Sequence, residues 1–78
     1  MNGSPPSKRH NLQILQRGAW RHVADFPAED GPQVRREAAH LLHVLGAKGR
    51  ILGQLQEGYR MPPVLALFSP DTGWMERH

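Results

Sequence analysis

"EAAHLLHVLGAKGRILGQL" runs from Glu37 to Leu55 and decides how the rest of the chain is interpreted. It begins as an amphipathic helix, breaks at Gly46 and continues as a second apolar stretch. A glycine directly after the last apolar residue of a helical pattern is typical of a helix end. The stretch therefore predicts two helices joined by a tight turn, as in a DNA-reading helix-turn-helix or in any small helical bundle.

The composition predicts one small domain that needs help to be stable. The chain has 78 residues and no cysteine, which excludes disulfides and thiolate metal sites. A chain this short buries little apolar surface, so we expect self-association or a partner to stabilise it. The net charge of +3 is spread along the chain and indicates nucleic-acid binding only weakly.

No sequence feature directs the chain to a membrane or out of the cell. No apolar run approaches the roughly 20 residues that a membrane span requires. The first residues, "MNGSPPSKRH", lack the apolar segment of a secretory signal. We therefore expect a cytoplasmic protein without membrane contact.

A first helix is predicted over residues 8–25, after a disordered tail over residues 1–7. Its apolar residues recur at helical spacing and form one stripe: Leu12, Leu15, Ala19, Val23 and Phe26. Ile14 falls outside this stripe and projects to the opposite side. It is either a singly exposed apolar residue or part of a second contact face.

Two further helices are predicted, over residues 32–45 and 47–57. Pro32 suits the first position of the second helix, and Gly46 suits its end. The third helix contains Gly49 and Gly53 and is weaker by propensity. The predicted fold is therefore all-α, a bundle of two to three helices within a helical domain over residues 8–61.

The last segment, residues 62–78, is predicted to be an extended C-terminal arm. Pro62 and Pro63 disfavour helix, and the residues from Val64 to Phe68 are apolar on both alternating faces. Such an arm either lies across the helices as part of the core or meets another protein. Phe68 and Trp74 would be the aromatic anchors of such a contact.

No set of residues indicates catalysis or cofactor binding. His40 and His43 share one helix face, but no third ligand stands at a suitable spacing for zinc. The glycines match neither a phosphate-binding loop nor a dinucleotide fingerprint. We therefore expect no enzyme activity, no metal, no cofactor and no small-molecule substrate.

The chain from Arg9 to Glu57 resembles a group of short uncharacterised helical proteins from Gram-negative bacteria and their prophage-like regions. The resemblance consists of an arginine-led first segment followed by a "P..VR..A..LL" pattern. The matching residues are Arg9, Pro32, Val34, Arg35, Ala38, Leu41 and Leu42. The resemblance implies a helical adaptor or regulator without enzyme activity or cofactor.

The predicted function is that of a small non-enzymatic protein-binding regulator or adaptor, encoded on a mobile element, that occupies a surface on a larger protein. A second copy of the chain is the other partner considered. The predicted protein-binding residues are Ile14, Leu65, Leu67, Phe68 and Trp74.

Two alternatives stay open at this point. One is a DNA-binding helix-turn-helix transcriptional regulator. In it Lys48, Arg50 and Gln54 would face the groove, and Arg17 would strengthen binding in general. The other is a structural subunit of a larger assembly.

Overall fold

A computed structural model describes residues 8–77 and shows a five-stranded antiparallel sheet with a helix packed on one face. The all-α prediction, and with it the description as a small helical protein, is therefore wrong. The sheet order is β2-β1-β3-β4-β5. A single 3-10 turn, Ala28–Asp30, precedes the helix. The elements are β1 (Arg9–Gln16), β2 (Ala19–Pro27), α1 (Gly31–Leu45), β3 (Gly49–Leu52), β4 (Val64–Ser69) and β5 (Gly73–Glu76).

The segment predicted as the first helix forms the β1–β2 hairpin. Arg17 and Gly18 both have positive φ, 51° and 78°. A two-residue loop of this kind matches the right-handed twist of the strands that it joins. Leu12 and Ile14 then share the face that α1 covers, because side chains two apart in a strand point the same way. Ile14 breaks a helical stripe because it belongs to a strand.

Helix α1 is the element that the sequence predicted well. Pro32 lies in its first turn, where a missing N–H costs nothing. Gly46 adopts the left-handed conformation after the last helical residue, with φ 63°. The backbone N–H of Ala47 then donates to the carbonyl oxygen of Leu42 at 3.0 Å, which satisfies a helix-end acceptor.

The segment predicted as the third helix, residues 47–57, contains strand β3 and the loop that follows it. Gly49 explains why a strand forms close beneath the helix. A Cβ atom at Gly49 would lie 2.7 Å from Leu42 Cδ1, so only glycine allows this approach without displacing Leu42.

The predicted C-terminal arm is part of the sheet, as strands β4 and β5. Ala66 and Phe68 are buried beneath α1, while Leu67 between them points to the other side. A strand that is apolar on both faces suits an interior position, and β4 lies between β3 and β5.

The core lies between α1 and one face of the sheet. Trp74 packs against its edge, where the indole Nε1 donates to the backbone carbonyl oxygen of Arg35 at 2.7 Å. Arg35 also forms an ion pair with Glu76 of β5. These contacts hold the helix on that face. The buried cluster comprises Leu12, Ile14, Phe26, Ala38, Leu42, Ile51 and Phe68.

Candidate functional site

The sheet has a second face, which α1 does not cover. One row of side chains crosses all five strands on this face, since their positions are paired from strand to strand. Leu15 and Trp20 form a second pair beside the row. We call this surface the open face and define it by Gln13, Leu15, Trp20, His22, Arg50, Leu67 and Met75.

Trp20 and Arg50 stack at the centre of the open face. The guanidinium carbon of Arg50 lies 4.2 Å from the centroid of the Trp20 ring, within cation–π range. Arg50 Nε also donates to Gln13 Oε1 at 2.7 Å. Partial burial lowers the pKa of Arg50 from its ordinary value, but an arginine remains charged at neutral pH. The open face therefore presents a cation held in place by two neighbours.

A groove of about 500 Å³ lies on this side of the sheet. Leu15, Trp20, Leu67 and Met75 supply apolar side chains to its lining. Lys48 and Arg77 contribute cations, and the one carboxylate of the lining, Glu76, is paired with Arg35. The Met75 side chain remains 57% exposed. The groove thus combines uncovered apolar surface with positive charge, a combination that a binding partner can use.

The opposite end of the open face is polar and internally bonded. Asp25 Oδ1 accepts a hydrogen bond from Asn11 Nδ2 at 3.0 Å and lies 3.1 Å from His22 Nε2. These contacts give Asp25 Oδ1 two partners within the chain, whereas Asn11 Oδ1 is buried without a hydrogen-bond partner among residues 8–77. The apolar and basic half of the face is therefore the better candidate for binding.

The predicted protein-binding residues do not lie together. Ile14 and Phe68 are core residues, and Trp74 is anchored beside the core. Leu65 also packs against the core cluster. Leu67 is the one of these five residues that lies on the open face.

The residues of the DNA-binding alternative lie on a strand and in loops. Arg50 lies in β3, Lys48 precedes it, and Gln54 follows it in the loop; Arg17 is in the β1–β2 turn. Because residues 47–57 form no helix, the recognition helix of a helix-turn-helix is missing from this region. Lys48 and Arg50 nevertheless lie at the same surface, the open face and its rim.

Sequence reasoning missed Gln13, Trp20 and Met75 as surface residues. The available signal was the alternation of polar and apolar residues from Asn11 to Ile14, which has period two and, when continued, includes Leu15. It assigns Gln13 and Leu15 to the face opposite Leu12 and Ile14. Trp20 follows from the hairpin, because it pairs with Leu15.

Comparisons with known proteins give no relative, since no protein-family model, curated protein or solved structure matches the chain. The residues that the structure describes include no helix that is both long and apolar enough to cross a membrane. Over the same residues 8–77, no three histidine, aspartate or glutamate side chains gather as metal ligands.

Proposed function

We propose that this protein is a non-enzymatic binding module that occupies a surface on a larger protein through its open face. The observation that carries the proposal is the groove of about 500 Å³ on the face that α1 leaves uncovered. Apolar side chains in a sheet normally lie against another layer. Here Leu67 and Met75 have no such layer among residues 8–77, so a partner protein would complete it.

The stacked pair at the centre supports this role. Aromatic and arginine side chains dominate the binding energy of many protein interfaces. Because Arg50 is already fixed by Trp20 and Gln13, a partner has less side-chain entropy to remove on binding. The Trp20–Arg50 pair would therefore be the energetic centre of the interface.

The charges favour a partner that carries acidic and apolar side chains. Lys48 and Arg77 stand at the groove beside Leu67 and Met75, and Arg50 is close by. Nucleic acid would also meet these cations, but single-strand binding relies on aromatic rings that stack with successive bases. Among residues 8–77, Trp20 and His22 are the aromatic side chains on the open face; Arg50 already covers one side of the Trp20 ring, and His22 contacts Asp25. A protein partner is therefore the stronger proposal.

The cellular setting belongs to the same proposal. We place the protein in the cytoplasm, as the sequence predicts. A mobile genetic element as its source stays a prediction from the resemblance described above. The binding surface itself depends on neither.

Site-specific photo-crosslinking tests the proposal. A photoreactive amino acid would replace Met75 in the groove, and Leu55 in the β3–β4 loop would serve as the control. The two side chains are matched, since each is 57% exposed. Crosslinking is carried out in extract of the native host, with and without nuclease.

We expect Met75 to crosslink to a protein that survives nuclease, and Leu55 to give no such product. Arg50→Ala should abolish the Met75 product, because hot-spot truncation costs about 2 kcal/mol or more. Equal crosslinking at both sites would contradict the proposal. Crosslinking to nucleic acid alone would favour the competing class of partner.

A further inference from the structure

The free edge of the sheet at β2 and the adjoining side of α1 form a second surface, which meets the open face along β2. β2 is nine residues long and pairs with β1 on one side only. An edge strand presents backbone N–H and C=O groups that can pair with another strand. A surface of this kind is suited to strand addition.

An apolar groove runs beside this edge. It has a volume of about 220 Å³ and lies between the helix and strands β1 and β2. Val23 of β2 lines it together with Val34 and Leu41 of α1. Val23 is 47% exposed and Leu41 is 51% exposed, so apolar surface remains uncovered where the helix meets the edge.

Leu45 extends the same apolar strip toward the hairpin end. It follows Leu41 by one helical turn and is 54% exposed. It also lines a cavity with Arg17 and Arg21 of the hairpin, which places it on the β2 side of the helix. Val23, Leu41 and Leu45 thus place exposed apolar side chains along the edge strand on the helix side of the sheet.

The charges along the edge are segregated in a self-complementary way. Arg17, Arg21 and His22 occupy its first half, from the hairpin turn onward. Asp25, Glu29 and Asp30 occupy its second half and the turn before α1. In an antiparallel pair of identical strands, the basic half of each copy lies against the acidic half of the other.

We infer that β2 pairs antiparallel with β2 of a second copy, so that two sheets join into one and the Leu41 side chains meet across the twofold axis. A register centred between Val23 and Ala24 sets the intrachain His22–Asp25 pair of each copy beside the same pair of the other copy. Val23 lies at the middle of β2 and shares its groove with Leu41, so the two helices approach near the axis. The dimer covers apolar surface that the small core leaves exposed.

Sedimentation velocity over about a hundredfold range of concentration tests this inference, because self-association depends on mass action. We expect the parent chain to pass from monomer to dimer. Leu41→Lys should weaken the dimer at least about tenfold, since it places an ammonium group in the apolar contact. Leu55→Lys, at a similarly exposed leucine of the β3–β4 loop, should leave association unchanged.

A charge exchange on the edge tests the register and does not depend on the folding of the leucine variant. His22→Asp sets carboxylates opposite each other at both symmetric positions and should weaken the dimer about tenfold. Because His22 also contacts Asp25 within its own chain, the His22→Asp chain is mixed with a separate Asp25→Lys chain, so that the charges within each chain are the same in homodimer and heterodimer. The mixture should form the heterodimer in preference to either homodimer. A parent chain that stays monomeric throughout, or a mixture without preference for the heterodimer, would overturn the inference.

The test of the dimer and the test of the proposed function can fail independently of each other. Leu67→Lys alters the open face and should abolish partner crosslinking while the dimer persists. If the chain is monomeric and Met75 still crosslinks to a protein, the edge inference fails alone. If β2 pairs with the partner protein and never with itself, the second copy is the wrong occupant.

Discussion

The close approach of helix α1 to strand β3 at Gly49 yields a prediction that can be worked out from distances. Gly49 lies in β3 directly beneath Leu42 of α1, and a Cβ atom there would stand 2.7 Å from Leu42 Cδ1 and 3.4 Å from the Gln13 carbonyl oxygen. Leu42 is 3% exposed and has little room to move. Gly49→Ala should therefore overpack the core and reduce the free energy of unfolding by about 1–3 kcal/mol.

Leu42→Ala alone should reduce the free energy of unfolding by about 2–5 kcal/mol, because it removes buried methyl groups and leaves a cavity. This is a large part of the roughly 5–15 kcal/mol that stabilises a domain. The double variant, Gly49→Ala with Leu42→Ala, removes the clash and partly fills the cavity. Its loss of unfolding free energy should therefore be smaller than the sum of the two single losses by about 1–3 kcal/mol.

Urea denaturation at fixed protein concentration measures the free energy of unfolding of the parent chain, the two single variants and the double variant. Val44 supplies the control, since it lies two residues after Leu42 in α1 but is 73% exposed. Val44→Ala should cost less than about 1 kcal/mol and should add to Gly49→Ala without coupling. Additive losses for Leu42→Ala and Gly49→Ala, within about 0.5 kcal/mol, would refute the packing of α1 on β3.

Three further predictions concern single positions, each read by denaturation. Gly46→Ala should cost about 1 kcal/mol, because alanine is strained at the φ of 63° that ends α1; an unchanged midpoint would contradict this helix end. Trp74→Phe should cost about 0.5–1.5 kcal/mol by removing the hydrogen bond to the Arg35 carbonyl oxygen, whereas Trp20→Phe, which breaks no such bond, should cost less. Burial, with Arg35 and Lys8 nearby, lowers the pKa of His10, so the folded state favours its neutral form. The unfolded chain then binds more protons, and stability should fall as the pH drops below about 6.5 toward the folded pKa; His10→Gln should flatten this dependence.

The sequence predicted α1 well because its signals are local. Pro32, the leucine stripe and Gly46 each act within a few residues, and the structure places the helix at Gly31–Leu45. The hairpin was missed because Leu12, Leu15 and Ala19 also fit a helical stripe. The competing signal was Ile14, whose place beside Leu12 requires a period of two. The Arg17–Gly18 pair at the hairpin turn is also a weaker sequence signal for a hairpin than the Asn-Gly pair that is typical of such loops.

The remaining errors come from contacts between distant segments. In the sequence, Gly49 only lowers the helix propensity of its segment. In the structure, the close approach of Leu42 explains why a glycine occupies this position. The all-α prediction leaves Val64–Ser69 without a sheet to join, because it treats the neighbouring strand, β3, as part of a helix. The cation–π contact between Trp20 of β2 and Arg50 of β3 could not be predicted before the strand order was known.

The two tryptophans allow the most direct test of the claim that the open face is the binding surface. Trp20 lies on that face, whereas the Trp74 indole N–H donates a hydrogen bond to the Arg35 backbone carbonyl oxygen on the helix side of the sheet. The two indole N–H signals are assigned with Trp20→Phe and Trp74→Phe, and the ¹⁵N-labelled protein is titrated with the protein captured through Met75. We predict that the Trp20 signal shifts or broadens on binding while the Trp74 signal stays in place. A shift of the Trp74 signal with the Trp20 signal unmoved would contradict the account.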